Sequence, residues 1–147
     1  MANILLLNGP NLNLLGTRQP AIYGHKTLEE ITAELQKLAK TRGHELRFAQ
    51  SNEEATLLNL IHEALEQGVD FILINPGAFA HTSIALRDAF SGTAIPFIEI
   101  HISNIHQRES FRHHSYLAEI AIGTICGLGT YGYELGLLAA IQQLETN

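Results

Sequence analysis

Three short apolar runs limit what this chain can fold into more than any other feature. Ile4-Leu5-Leu6-Leu7, Val69-Asp70-Phe71-Ile72-Leu73-Ile74 and Ile95-Pro96-Phe97-Ile98-Glu99-Ile100 are too short for core helices and too continuous for strands with one wet face. They read as strands covered on both sides. Such strands need helices above and below, and the intervals supply them. Thr27 with Glu30 forms a capping box, after which Leu28, Ile31, Leu35, Leu38 and Ala39 recur at helical spacing until Gly43. His44 to Ala49 alternates through Leu46 and Phe48 as an exposed or edge strand, and Ser51 with Glu54 is expected to cap a second helix ending at Gly68. A short helical stretch near Thr82 to Phe90 follows. A last strand is expected near Ile120 and Ile122, then a terminal helix carried by Leu135, Leu138, Ala139, Ile141 and Leu144.

Strands and helices in alternation argue for a parallel sheet with helices on both faces, because right-handed crossovers leave few other arrangements. Five strands fit a flavodoxin-like three-layer sandwich with sheet order 2-1-3-4-5. The length of 147 residues suits one domain, residues 1–147, with the Pro- and Gly-interrupted stretch 9–26 as a long loop. Charged residues are only 16% of the chain against 46% hydrophobic, which excludes charge-driven disorder and leaves apolar surface for subunit association. The net charge of −6 disfavours nucleic acid as a partner. No run is long enough to span a membrane and Met1-Ala2-Asn3 carries no basic leader, so a cytoplasmic protein without a membrane partner is expected. The single Cys126 cannot close an internal disulfide.

In open parallel sheets ligands bind outside the carboxyl ends of the strands, where the connections diverge. The segments leaving the first, third and fourth strands hold Asn8, Asn11, Asn13, Arg18 and Tyr23, then Asn75 and His81, then His101, Ser103, Arg108 and Arg112. All are expected on one edge. Other features read more plainly. Gly127-Leu128-Gly129-Thr130-Tyr131-Gly132 matches GxGxxG, but it follows the last strand rather than the first, and the acidic ribose partner expected about 20 positions on meets the end of the chain at Asn147, so it reads as a tight structural turn. Eight histidines invite a metal, yet none is paired with cysteine or set as HExxH, and no metal site is assigned. His44 and His62 read as surface residues and Cys126 as a structural thiol. Lys26, Lys37 and Lys40 all lie near the first helix, away from the strand ends where imine chemistry would be sought.

Glu99 and His101 are two apart on a strand and share a face. A carboxylate holding one imidazole nitrogen fixes the tautomer and makes the other a general acid; the alternative is a surface ion pair. Arg18 and Tyr23 share the long loop, and loops of more than about 12–15 residues in compact domains are functional lids or disordered. A cation about 4 Å from a phenol, at an effective dielectric near ~20, supplies about 4 kcal/mol, enough to bring a tyrosine towards neutral titration. The alternative is that Tyr23 packs the loop onto the body.

Gly9-Pro10-Asn11-Leu12-Asn13, Leu15-Gly16, Arg18, Pro20 and Tyr23-Gly24 resemble the signature loop of the type II 3-dehydroquinate dehydratases. Asn75 to Ser83, Glu99 to Asn104 and Phe111 to Ser115 resemble that family's other site segments, and the likeness runs through essentially the whole chain. Phe79-Ala80 stands where the family often has tyrosine and threonine. The resemblance implies a lyase of the shikimate pathway, towards aromatic amino acids and chorismate, that converts 3-dehydroquinate to 3-dehydroshikimate through an enolate without metal or cofactor. It implies Tyr23 as the base, Arg18 as its stabiliser, Asn11 steadying the enolate through a water, and His101 oriented by Glu99 as the acid. Asn75, His81, Ile102, Ser103 and Arg112 would hold the substrate. Asp88 would reach a neighbouring subunit's site within a dodecamer built from trimers, and 9–26 would be the lid. A flavodoxin-like module binding flavin or another phosphate-bearing ligand is the rival reading.

Overall fold

The computed structural model describes residues 1–17, 21 and 25–146. Five strands, β1 (Asn3–Asn8), β2 (Glu45–Gln50), β3 (Phe71–Asn75), β4 (Phe97–His101) and β5 (Gly123–Cys126), form one sheet in the order β2-β1-β3-β4-β5. Every pairing is parallel. The chain moves outward from β1 to β2, then returns to β3 on the other side, so the connections part between the carboxyl ends of β1 and β3.

Among the described residues four α-helices cover the sheet: α1 (Leu28–Thr41), α2 (Glu54–Glu66), α3 (Ile84–Thr93) and α4 (Tyr131–Thr146). The period-2 alternation of each strand sorts its side chains between two cores. Ile4, Leu6, Phe71, Leu73, Ile98 and Ile100 pack with Ile31, Leu35 and Ala39 of α1 and with Tyr133, Leu137 and Ile141 of α4. Leu5, Leu7, Ile72, Ile74 and Phe97 pack on the opposite face with Leu57 and Ile61 of α2 and Leu86 and Phe90 of α3. Both faces are covered, as continuous apolar runs require. Among the described residues no helix is long and apolar enough to cross a membrane.

Local rules hold in places and yield in others. Thr27 Oγ1 accepts from the Glu30 backbone N–H at 3.2 Å, as the capping box demands. Ser51 does not cap α2: its hydroxyl accepts from Glu53 N–H in the turn before the helix, and Glu53 itself occupies the cap position. The last strand begins only at Gly123. Ile122 N–H donates to Phe97 O, but Ile120 N–H folds back to Leu117 O, which places Ile120 in a turn. Terminal helix α4 matches the expected stripe in part: Ile141 is buried and Ala139 and Leu144 pack against the core, but the inward face also takes in Tyr133, Leu137 and Ala140. Leu135 and Leu138 are half-buried. Close approach decides this: a Cβ at Gly136 would stand 2.7 Å from Ile100 Cδ1, so the glycine face is the one that meets the sheet. His44 is not a plain surface residue. Its Nδ1 accepts from Ala2 N–H and its Nε2 donates to Glu145 at 2.9 Å, tying the amino end of the chain to α4.

Candidate active site

The sheet's carboxyl edge holds a cleft lined by Pro10, Asn11, Leu12, Asn75, Gly77, Ala78, His81, His101, Ile102, Ser103, Ile105, Arg108 and Arg112. Loops leaving β1, β3 and β4 form it, which is where the topology directs a ligand. Two of these loops touch backbone to backbone. Gly9 N–H donates to Asn75 O at 2.8 Å, and a Cβ on Gly9 would lie 2.4 Å from Pro76 O. Only glycine lets the first loop pass there. Asn11 follows in the left-handed region at φ 70, with its N–H donating to Asn52 Oδ1. A non-glycine residue held at positive φ beside a cleft is strain of the kind found at functional sites.

The end of β4 supplies a buried polar pair. Glu99 is fully buried and accepts from His101 Nε2 at 2.5 Å; the His101 side chain is itself only 7% exposed. The surface ion pair is thereby excluded. Because the carboxylate only accepts, Nε2 carries the proton, and Nδ1 is the ring nitrogen left for exchange with a bound molecule. Ser115, from a loop 16 residues on, donates its hydroxyl to the same carboxylate, 2.9 and 2.7 Å from its two oxygens.

The His81 ring stacks against His101 with centroids 6.0 Å apart. Its Nδ1 donates to His114 O at 2.7 Å, so Nε2 is the acceptor. Burial, and then the nearby His101 and Arg112, hold its imidazole below the ordinary value, which keeps it neutral. Asn75 is buried, donating through Nδ2 to Tyr133 Oη and accepting through Oδ1 from Gly77 N–H. Tyr133 Oη in turn donates to Asn8 Oδ1 at 2.7 Å. Burial pushes the Tyr133 phenol up, so this tyrosine is a fixed hydrogen-bonding strut and not a base. Elsewhere in the lining Arg112 Nε pairs with Glu109 at 3.0 Å, and Arg108 donates to Ser103 Oγ.

The structure therefore brings Asn11, Asn75, His81, His101, Ile102, Ser103 and Arg112 together, with Glu99 directly behind. Asn13 departs from expectation. It is exposed and borders a separate hollow with Leu15, Thr27 and Phe48, because the one-turn 3-10 helix Leu12–Leu14 rotates it away. Asp88 lies exposed on α3, outside the cleft lining. Arg18 and Tyr23 fall outside the described residues. Ser115 closes the Phe111–Ser115 segment but receives no role from sequence, because its partner is reached through the fold. Among the described residues no three His, Cys, Asp or Glu side chains are grouped to hold a metal ion. The late glycine cluster acts as a turn, with Gly127 at φ +89 packed against Asn104, where a Cβ would meet the Asn104 Cβ at 2.8 Å. Cys126 Sγ donates to Ser103 O and accepts from Ile105 N–H, steadying the cleft loop.

The chain is similar to proteins of one known family. The family model described as dehydroquinase class II matches residues 2–141. A 3-dehydroquinate dehydratase of Pseudomonas savastanoi pv. phaseolicola is 59% identical over 147 residues, covering 100% of this chain and 98% of the relative. A 3-dehydroquinate dehydratase of Pseudomonas aeruginosa is 57% identical, covering 99% of each. The crystal structure of type II dehydroquinase from Butyrivibrio crossotus superposes with a TM-score of 0.92 at 41% identity, covering 95% of this chain and 97% of the other. The chain belongs to the class II dehydroquinase family.

Proposed function

We propose that the cleft is the active site of a 3-dehydroquinate dehydratase, a lyase that converts 3-dehydroquinate to 3-dehydroshikimate in the shikimate pathway. The observation that carries this reading is the buried Glu99–His101 pair, whose imidazole lines the cleft. Loss of a hydroxyl as water needs a proton donor, and an imidazole held by a carboxylate is such a group. The family match and the relatives' names supply the substrate.

In this mechanism Tyr23 removes the proton alpha to the ketone, with Arg18 stabilising its phenolate; both roles rest on the resemblance of the loop. Charge then develops on the carbonyl oxygen as an enolate. Asn11, at the cleft mouth, steadies it by way of a water. Collapse of the enolate expels the hydroxyl, which His101 protonates, so the carbon–oxygen bond breaks and water leaves. Neutral His81, Asn75, Ser103 and the backbone at Ile102 receive the substrate's hydroxyls and carboxylate, and Arg112 offers paired donors to a planar carboxylate. Metal and cofactor play no part in this sequence of steps.

The chain acts as one catalytic domain, residues 1–147, with 9–26 as a lid over the cleft. It works in the cytoplasm as a dodecamer of trimers in which Asp88 reaches a neighbouring subunit's site. Support for that contact comes from α3, where Asp88 and Ile84, the latter 56% exposed, lie one turn apart facing solvent. Mixing the protein with 3-dehydroquinate tests the reaction directly. Ultraviolet absorbance of a conjugated enone carboxylate is expected, and its absence from an intact protein would overturn the reading.

A further inference from the structure

Ser115 is placed so that its hydroxyl has one direction in which to donate. Its oxygen accepts backbone N–H groups from Leu117 at 3.1 Å and Ala118 at 3.3 Å. A hydroxyl has two lone pairs and one proton. With both lone pairs engaged, the proton is directed to the Glu99 carboxylate, within 2.7 Å of Oε2. That oxygen is the one that accepts from His101 Nε2. All three residues are buried, Ser115 at 9%, Glu99 at 0% and His101 at 6% exposure. Hydrogen bonds to a buried charge are stronger than neutral ones and polarise one another.

We infer that Ser115 is a positioning residue for the dehydration, acting through Glu99 to fix the orientation and proton donation of His101. This rests on His101 serving as the acid in the proposed function. Leu117 and Ala118 N–H groups polarise the hydroxyl, the hydroxyl holds the carboxylate in one rotamer, and the carboxylate holds the ring. Without the hydroxyl, Glu99 keeps a single side-chain partner and its negative charge concentrates on the bond to His101. Ring and carboxylate then lose their common register with the cleft. Among the described residues, the charged or titratable groups that line the cleft with His101 are His81, Arg108 and Arg112.

The test is a double-mutant cycle in the full-length enzyme. Ser115→Ala is expected to lower kcat about tenfold with KM unchanged, the size of loss that follows when a buried charge gives up one hydrogen bond. Ser115→Thr, which keeps the hydroxyl, is expected to restore most of it. In a His101→Ala background Ser115→Ala is expected to cost nothing further. An equal loss in both backgrounds would reduce Ser115 to a cap of the 115–118 turn and overturn the inference. The nuclear magnetic resonance signal of the His101 Nε2 proton gives a reading independent of activity. It is expected to move in Ser115→Ala, and an unmoved signal would overturn the inference even if the enzyme turns over dehydroquinate. Should the alanine variant fail to fold, Ser115→Cys, with its weak donor, replaces it under the same two outcomes.

Discussion

Two imidazole–carboxylate pairs stand at opposite edges of the same sheet, and they differ in what surrounds the carboxylate. At the carboxyl edge, Glu99 is 0% exposed and His101 approaches it at 2.5 Å. At the amino edge, Glu145 is 52% exposed and His44 approaches it at 2.9 Å. Both rings are nearly buried, at 7% and 10%. The histidine is thus not what distinguishes them. Glu99 cannot be solvated, so it takes a second protein donor in Ser115 and becomes rigid. Glu145 is hydrated and screened, and its pair closes the chain end onto α4. The nitrogens differ too. His44 spends Nδ1 on Ala2 N–H, leaving neither nitrogen for other work, whereas His101 commits only Nε2 to its carboxylate. The same two residue types give a chemical group at one edge and a fastening at the other.

The widest separation between the edges is expected on removing the base and the acid. Tyr23→Phe should abolish turnover while substrate binding, measured by calorimetry, persists, because a proton acceptor is removed and not a recognition group. His101→Ala should lower kcat by about 10²–10⁴ fold in a steady-state assay, the usual worth of a positioned acid; a wild-type kcat would reassign the role. Next comes Glu99→Gln. It should cost about 1–3 kcal/mol in denaturant unfolding as well as activity, since the buried partners lose a charged acceptor. Glu145→Gln, at the amino edge, should cost less than about 1 kcal/mol and leave kcat unchanged. Equal penalties for the two glutamine variants would erase the distinction drawn from burial.

The smallest effect is a slope. Burial holds the His81 imidazole below its ordinary value, so on acidification the unfolded chain takes up this proton before the folded one. The stability gained by keeping the ring neutral is complete above about pH 6.5 and declines as pH falls below it. His81→Gln should flatten that part of the unfolding curve measured between neutral and mildly acidic pH. An unaltered curve would count against a neutral His81 in the folded state.

Much of the fold was legible because its signals are local. The apolar runs of β1, β3 and β4, the Thr27 capping box and the glycine stops after α1 and α2 each act within a few residues. The misreadings share one cause. Ile120 and Ile122 look like a strand, and Leu135 with Leu138 looks like the inner stripe of α4, until neighbours decide. The neighbours are Leu117, which draws Ile120 into a turn, and Ile100, which admits glycine and excludes bulk. Asn13 failed similarly: one 3-10 turn was enough to send it to another face. For the candidate site, the position of Asn75, His101 and Ser103 after strands was readable from topology. Ser115 was not, because its meaning depends on Glu99, 16 residues earlier and on another element. Tyr133 is a stronger instance, bonded to partners 58 and 125 residues away.

Sequence alone determined the alternation of buried strands and helices, which fits the observed sheet order, and the edge on which polar residues gather. It also fixed the i, i+2 relation that lets Glu99 and His101 share a face, since strand geometry guarantees it. Tertiary structure alone decided that this pair is dry, that Ser115 completes it, and that the other histidine–glutamate pair stays wet. The physical reason is that periodicity and capping act over a few residues, whereas desolvation depends on everything packed around an atom, which no stretch of chain specifies by itself.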